Sequence, residues 1–380
     1  MVRDVSGYLR SKERTADPAM AEKWAKLDEL HSKRLWHQLT IQLLSFVKEP
    51  SLQKDRLLIE LYENFIQEFE LRIKTLSFME LCALIVVQYE KPSETYVFLD
   101  NCEKRVSGDP VALALCKITR GQINLEKEQD VKSMKVILED VEQILKQTDG
   151  ITEVHGRFYL LQSSFYLEQG NLTDYYKSAL KFLGCTSPRD LPLSLQKENA
   201  KNLAVSSLVA DGIFNFGELL AHPVLDSLKR TQDEWLVLLM KAFNAGDVNE
   251  FEALKKKWST NKLLAENESK LRTKVTLLAI MEMTFRRSAN ERQVSFEDVA
   301  KVTKLPIEQV ELYVMKAIAK GLIVGKIDEV GKKIYMTWVQ PRVLDTNQIG
   351  TMITRLDEWQ KDLEKAQNMM KKDASDILLY

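Results

Sequence analysis

The chain has 380 residues, 45% of them hydrophobic and 29% charged, which is enough apolar material for two or three packed domains and too much for a disordered chain. A net charge of −1 excludes any bulk electrostatic attraction to nucleic acid or to an anionic membrane surface. Nine prolines and 14 glycines over this length favour long helices over many short strands.

At the N-terminus, Met1–Arg10 carries Arg3, Asp4 and Arg10 without an apolar core, so it does not read as a secretory signal. Residues 1–30 are expected to form a segment of their own, either poorly ordered or a first helix. From about Leu27 to Phe285 the chain reads as successive amphipathic helices. Leu35, Leu39, Leu43, Phe46 and Val47 fall on one helical face, and Leu57, Leu61, Phe65 and Phe69, with Leu58, Tyr62 and Ile66, fall on the next. The longest uncharged apolar run, Leu81–Tyr89, is about half of what a bilayer crossing requires. Cys82, Cys102, Cys116 and Cys185 form no C-x-x-C pair, and Cys82 and Cys116 stand inside apolar helical patterns. Reduced core thiols of a soluble intracellular protein are therefore expected.

Three junctions place Asp or Asn directly before a new apolar periodicity: Asp130 before Val131, Asn171 before Leu172 and Asp247 before Val248. In two of them a glycine, Gly170 or Gly246, comes first. Glycine suits the left-handed position that ends a helix, and the Asx side chain accepts the first free N–H groups of the next one. Asp130 and Asn171 lie 41 residues apart and Asn171 and Asp247 lie 76 apart, which is two steps of 38. Helix pairs at that period point to a helical-repeat solenoid over residues 31–260, an architecture that grips protein partners.

Near residue 290 the pattern changes. Gln293–Phe296 is a short extended piece, Ser295 an N-cap with Glu297 and Asp298 in the first turn, and Pro306 opens a second helix. Val310, Val314, Ala317 and Ile318 form its buried face and Gly321 stops it. Leu322–Ile327 and Lys333–Trp338 then read as two strands around a turn. This order is a winged helix-turn-helix, and with a leading helix it occupies residues 261–344. Residues 345–380 make one last helix. Its Ile349, Met352, Leu356, Trp359, Leu363, Ala366 and Met370 alternate steps of three and four, a seam suited to an intermolecular helical bundle.

No catalytic or metal chemistry is legible. His31, His37, His155 and His222 have no metal-ligand spacing, and neither a phosphate loop nor a nucleophile elbow occurs. The serious competitor is nucleic-acid binding through the winged helix. Glu308 and Glu311 would face the groove, however, and eight basic against seven acidic residues between Glu291 and Lys333 leave no basic surface. Protein contact is the remaining use. Ile334, Tyr335 and Met336 lie in what reads as the outermost strand, an edge that could continue into a neighbour's sheet.

A helical stack closed by a winged helix is the pattern of the PCI domain, found in the proteasome lid, the COP9 signalosome and a translation initiation factor. KRLWHQLT (33–40), LYENFI (61–66), VHGRFY (154–159), YYKSALKFLG (175–184), GIFNFGELLAHPVLDSL (212–228), MEMTFRRSANERQVSFEDVA (281–300), VELYVMKAIAKGLIVGKIDEV (310–330) and MTWVQPRVLD (336–345) resemble the 26S proteasome non-ATPase regulatory subunit 13 family. The resemblance is looser before residue 30, over 107–150 and beyond Gly350. It implies a mainly α fold: a right-handed helical-repeat solenoid, then a winged-helix subdomain (together the PCI domain) and a long C-terminal helix. It further implies a non-catalytic lid subunit without cofactors, cytoplasmic and nuclear, that contributes to ubiquitin-dependent degradation. Its partners would be other PCI and lid subunits, with no nucleic acid, membrane or small-molecule substrate. The winged helix would line up beside those of its neighbours, and the last helix would join a shared bundle. Membership of a related PCI complex and winged-helix nucleic-acid binding are the alternatives.

Overall fold

A computed structural model of the chain describes residues 5–53, 56–128, 130–148, 150–187, 191–287, 292–343 and 346–373. The chain divides into two compact units, Met1–Asn171 with Lys177–Thr186 and Leu172–Tyr176 with Ser187–Tyr380.

The described residues of the first unit are helices and their connections. The N-terminal segment is ordered as two helices, Val5–Thr15 and Pro18–Ser32, with proline at the position where a missing N–H costs nothing. They are held by burial of Val5, Leu9, Trp24 and Leu27, and Trp24 meets Phe46 edge-on at 4.7 Å. Helix Trp36–Phe46 buries Leu39, Leu43 and Phe46, but Leu35 precedes the helix and is exposed, so the expected stripe is one residue shorter. Helices Thr75–Val86, Pro92–Val106, Pro110–Ile123, Val131–Lys146 and Glu153–Glu168 follow. Asp130 caps the fourth of these by accepting from Lys132 N at 3.1 Å, as the junction pattern anticipates. Cys82, Cys102 and Cys116 are buried. Burial pushes the Cys82 thiol up, and the Cys116 thiol up to about 12, so neither is a ready nucleophile near neutral pH.

The second unit is built around Glu268–Arg286, a helix buried on nearly every side through Leu271, Val275, Leu278, Met281 and their neighbours. Glu234–Ala245 ends against it at Gly246, which has φ +63°. A Cβ on Gly246 would lie 2.5 Å from Ala279 Cα, backbone that cannot move aside. Gly246→Ala is therefore expected to cost more than about 2 kcal/mol, combining a left-handed conformation with the clash, and to lower the denaturant midpoint at unchanged slope. Asp247 then caps Val248–Ala253, accepting from Asn249 N at 2.8 Å and Glu250 N at 3.2 Å.

The winged helix follows in the expected order. Strand β1 (Gln293–Ser295) leads into Phe296–Thr303, capped by Ser295 Oγ accepting from Asp298 N at 3.1 Å. The second helix is Ile307–Ala319, with Val310, Val314 and Ala317 inside and Gly321 turning the chain at φ +68°. Strands β2 (Ile323–Asp328) and β3 (Lys333–Val339) complete it. The sheet order β1-β3-β2 is antiparallel throughout.

That order corrects one expectation. Ile334, Tyr335 and Met336 lie in the central strand, not at an edge, because β1 returns to pair Val294 with Ile334 while β2 pairs Ile327 with the same residue. Both hydrogen-bonding sides of β3 are used, and Ile334 and Met336 point into the core. The available edges belong to β1 and β2.

Candidate functional site

The last strand does not run straight into the last helix. Gln340 N donates to Leu322 O at 2.8 Å, and Pro341–Val343 then crosses the second unit as a short strap. Asn215 Oδ1 accepts from Val343 N and from Gly217 N, both at 3.3 Å. Gly217 is required beneath the strap, because a Cβ there would sit 2.6 Å from Val343 O.

Arg342 is the anchor. Its Nη1 donates to Asn244 O at 3.0 Å, and its Nη2 is paired with the Glu282 carboxylate. Both side chains are only 7% exposed. The other Glu282 oxygen accepts from Arg286 Nε at 2.9 Å. A buried carboxylate on the central helix is thus satisfied on both oxygens, which is the condition for burying an ion pair without a large penalty.

From this anchor departs the last helix, Thr346–Asp373, whose 28 residues span about 42 Å. Arg355 Nη2 reaches back to Arg286 O at 3.0 Å. The seam Ile349, Met352, Leu356, Trp359, Leu363 and Met370 is exposed along its whole length, Trp359 at 62% and Leu356 at 55%. Ala366 lies on the same exposed face. Among the described residues the helix does not fold back to bury this seam on its own winged helix, and the apolar stripe stays exposed.

The winged helix presents Glu308, Leu312, Met315 and Lys316 outward on its second helix, an apolar surface of mixed charge. Phosphate contact needs a surplus of positive charge, which this mixed face does not carry. Three of the four histidines are absorbed locally: His155 Nδ1 accepts from Thr152 N at 3.0 Å, His222 Nδ1 accepts from Val224 N at 3.2 Å, and His31 packs among Trp36, Phe65 and Phe69, while His37 is exposed on its helix. Among the described residues no cluster of His, Cys, Asp and Glu could hold a metal ion, and no helix is long and apolar enough to cross a membrane.

A second buried charge braces the same unit. Lys274, on the central helix, places Nζ within 2.7, 3.2 and 2.8 Å of the carbonyls of Ser207, Leu208 and Ala210. These lie at the C-terminal end of helix Leu193–Val209, where carbonyls lack partners within the helix. The ammonium's three donors match them, with Phe214 and Phe216 rings 5.7 and 5.3 Å away. Burial nevertheless pulls the Lys274 pKa down to about 7.

Lys274→Met is expected to cost about 1–3 kcal/mol by leaving those carbonyls without a donor. Because the folded-state pKa lies below the ordinary lysine value, the folded protein binds fewer protons than the unfolded one between about pH 7 and pH 10. The stability linked to Lys274 therefore rises with pH across that window, by up to about 1.4 kcal/mol per unit, and is flat below it. The wild type should gain stability over Lys274→Met between pH 7 and pH 9, read from chemical denaturation of both proteins.

Neither Arg342, Glu282, Asn215 nor Lys274 stands out in the sequence as a site residue. The one available signal is a charge inside an apolar helical run, Glu282 in LLAIMEMTF and Lys274 just before it, since a buried charge implies a partner.

Comparison with known proteins matches the PSD13 N-terminal repeats over residues 23–240 and the PCI domain over residues 246–338. The chain is 31% identical over 368 residues to the 26S proteasome non-ATPase regulatory subunit 13 of Dictyostelium discoideum, covering 95% of each chain. It is 36% identical over 367 residues to homolog A of that subunit in Arabidopsis thaliana, covering 93% of each. It is 30% identical over 387 residues to the 26S proteasome regulatory subunit RPN9 of Saccharomyces cerevisiae, covering 97% of each. With two helical-repeat and winged-helix signatures in series and relatives aligned over almost their full length, this chain belongs to the 26S proteasome non-ATPase regulatory subunit 13 family.

Proposed function

We propose that the chain is a non-catalytic scaffold subunit of the proteasome regulatory-particle lid, working in the cytoplasm and nucleus in ubiquitin-dependent protein degradation. The observation that carries this reading is the exposed seam of the last helix, held at a set point by the Arg342–Glu282 anchor. A helix with that stripe gains by burial against other helices, and the relatives are named as regulatory subunits of the 26S proteasome, a multi-subunit assembly. The apolar outer face of the winged helix, with mixed charge and no basic surplus, favours protein over nucleic acid as its neighbour.

The test is affinity purification of the tagged full chain from cells. Lid subunits should co-purify in stoichiometric amounts, and removal of residues 346–380 should reduce their recovery while the circular dichroism and unfolding midpoint of the remainder are kept. Recovery of the tagged chain without proteasome subunits would refute the reading.

A further inference from the structure

Where the last helix leaves the second unit, a groove of about 870 Å³ opens between its first turns and the body. Leu220, Ala221 and Phe285 form one apolar wall, and Ile349 and Met352 of the seam form the other. The rim is cationic. Lys241, Arg286 and Arg355 line it against a single acid, Glu282, a balance of three to one. Glu282 is engaged on both oxygens by Arg342 and Arg286, so its charge is already matched. Lys241 and Arg355 are exposed.

The seam that forms one wall continues outward as Leu356, Trp359 and Leu363. An occupant that covers the seam therefore passes over the groove at one end. We propose that the groove receives the carboxylate-bearing end of an amphipathic helix from a neighbouring chain, lying along the last helix of this one. Its apolar side chains meet Phe285, Ile349 and Met352, and its terminal acids face Lys241 and Arg355. A helix C-terminus would add the negative end of its dipole to the same attraction. This rests on the reading that the last helix is buried in the assembly, and adds the chemistry and polarity of the partner's end.

The experiment is zero-length carbodiimide coupling of the affinity-purified native assembly, followed by mass spectrometry. The expected product is an amide between Lys241 Nζ and an Asp, Glu or terminal carboxylate of another chain. In parallel, Lys241→Glu with Arg355→Glu should lower incorporation at least tenfold, with a recovery that salt no longer weakens, whereas the outward-facing control Lys361→Glu should leave it unchanged. If the assembly is recovered but Lys241 couples only within its own chain, to a second copy of it or not at all, the proposal is overturned and the lid reading stands. Wild-type incorporation of the double variant overturns it equally. Recovery of no partner overturns the lid reading and this one with it.

Discussion

Arg342→Ala is expected to be the most damaging single substitution in the second unit, lowering its stability by about 3–5 kcal/mol. The reason is not the loss of one attraction. Glu282 sits 6% exposed on a largely apolar stretch of the central helix, and the buried guanidinium is the main group that makes its charge tolerable there. Removing the arginine leaves one oxygen of that carboxylate unpaired, with only the largely exposed Arg286 on the other, and the carbonyl of Asn244 loses its donor as well. Replacing both partners with apolar residues, as in Glu282→Leu with Arg342→Leu, should cost much less than Arg342→Ala alone. Chemical denaturation of the three proteins measures the comparison, and equal losses in the single and double variants would sink the argument. The single variant should also release the strap, so that proteolysis between Gln340 and the last helix speeds up before any global unfolding.

Leu356→Asp combined with Trp359→Asp is expected to act in the opposite way, sparing the fold and destroying assembly. Both side chains are more than half exposed in the isolated chain, so little stability depends on them. Burying them in a bundle would contribute about 1.5–3 kcal/mol each, and placing carboxylates there adds a desolvation cost. The loss corresponds to at least about a hundredfold weaker association. Lys361→Asp, on the outward side of the same helix, should have no comparable effect. Quantitative co-purification with unchanged thermal unfolding is the expected result, and undiminished recovery of partners would remove the seam from the assembly surface.

These two effects also mark how far the chain could be read without its structure. The repeat junctions at Asp130, Asn171 and Asp247, the cap at Ser295, the two helices and two strands of the wing, and the seam from Ile349 to Met370 were all legible. Each depends on residues within about one or two turns of each other, where periodicity, capping chemistry and the φ demands of glycine act directly. The N-terminal helices were half legible, because Val5, Leu9, Trp24 and Leu27 make a weak local pattern that becomes decisive only once Phe46 and its neighbours cover them.

Sheet order and buried charge were a different matter. A strand in third place along the chain reads as an edge, and only the return of Gln293–Ser295 beside Lys333–Val339 makes it central and turns Ile334 and Met336 inward. Arg342 meets Glu282 across 60 residues and Lys274 meets Ser207 across 67, separations at which spacing carries no information. The sequence by itself determined the helical class, the winged helix and an apolar seam along the last helix, because these follow from short-range chain geometry and apolar periodicity. The tertiary structure alone decided which strand is covered, where the last helix is anchored and what charge surrounds its root, because those depend on desolvated contacts between residues that only the fold brings together.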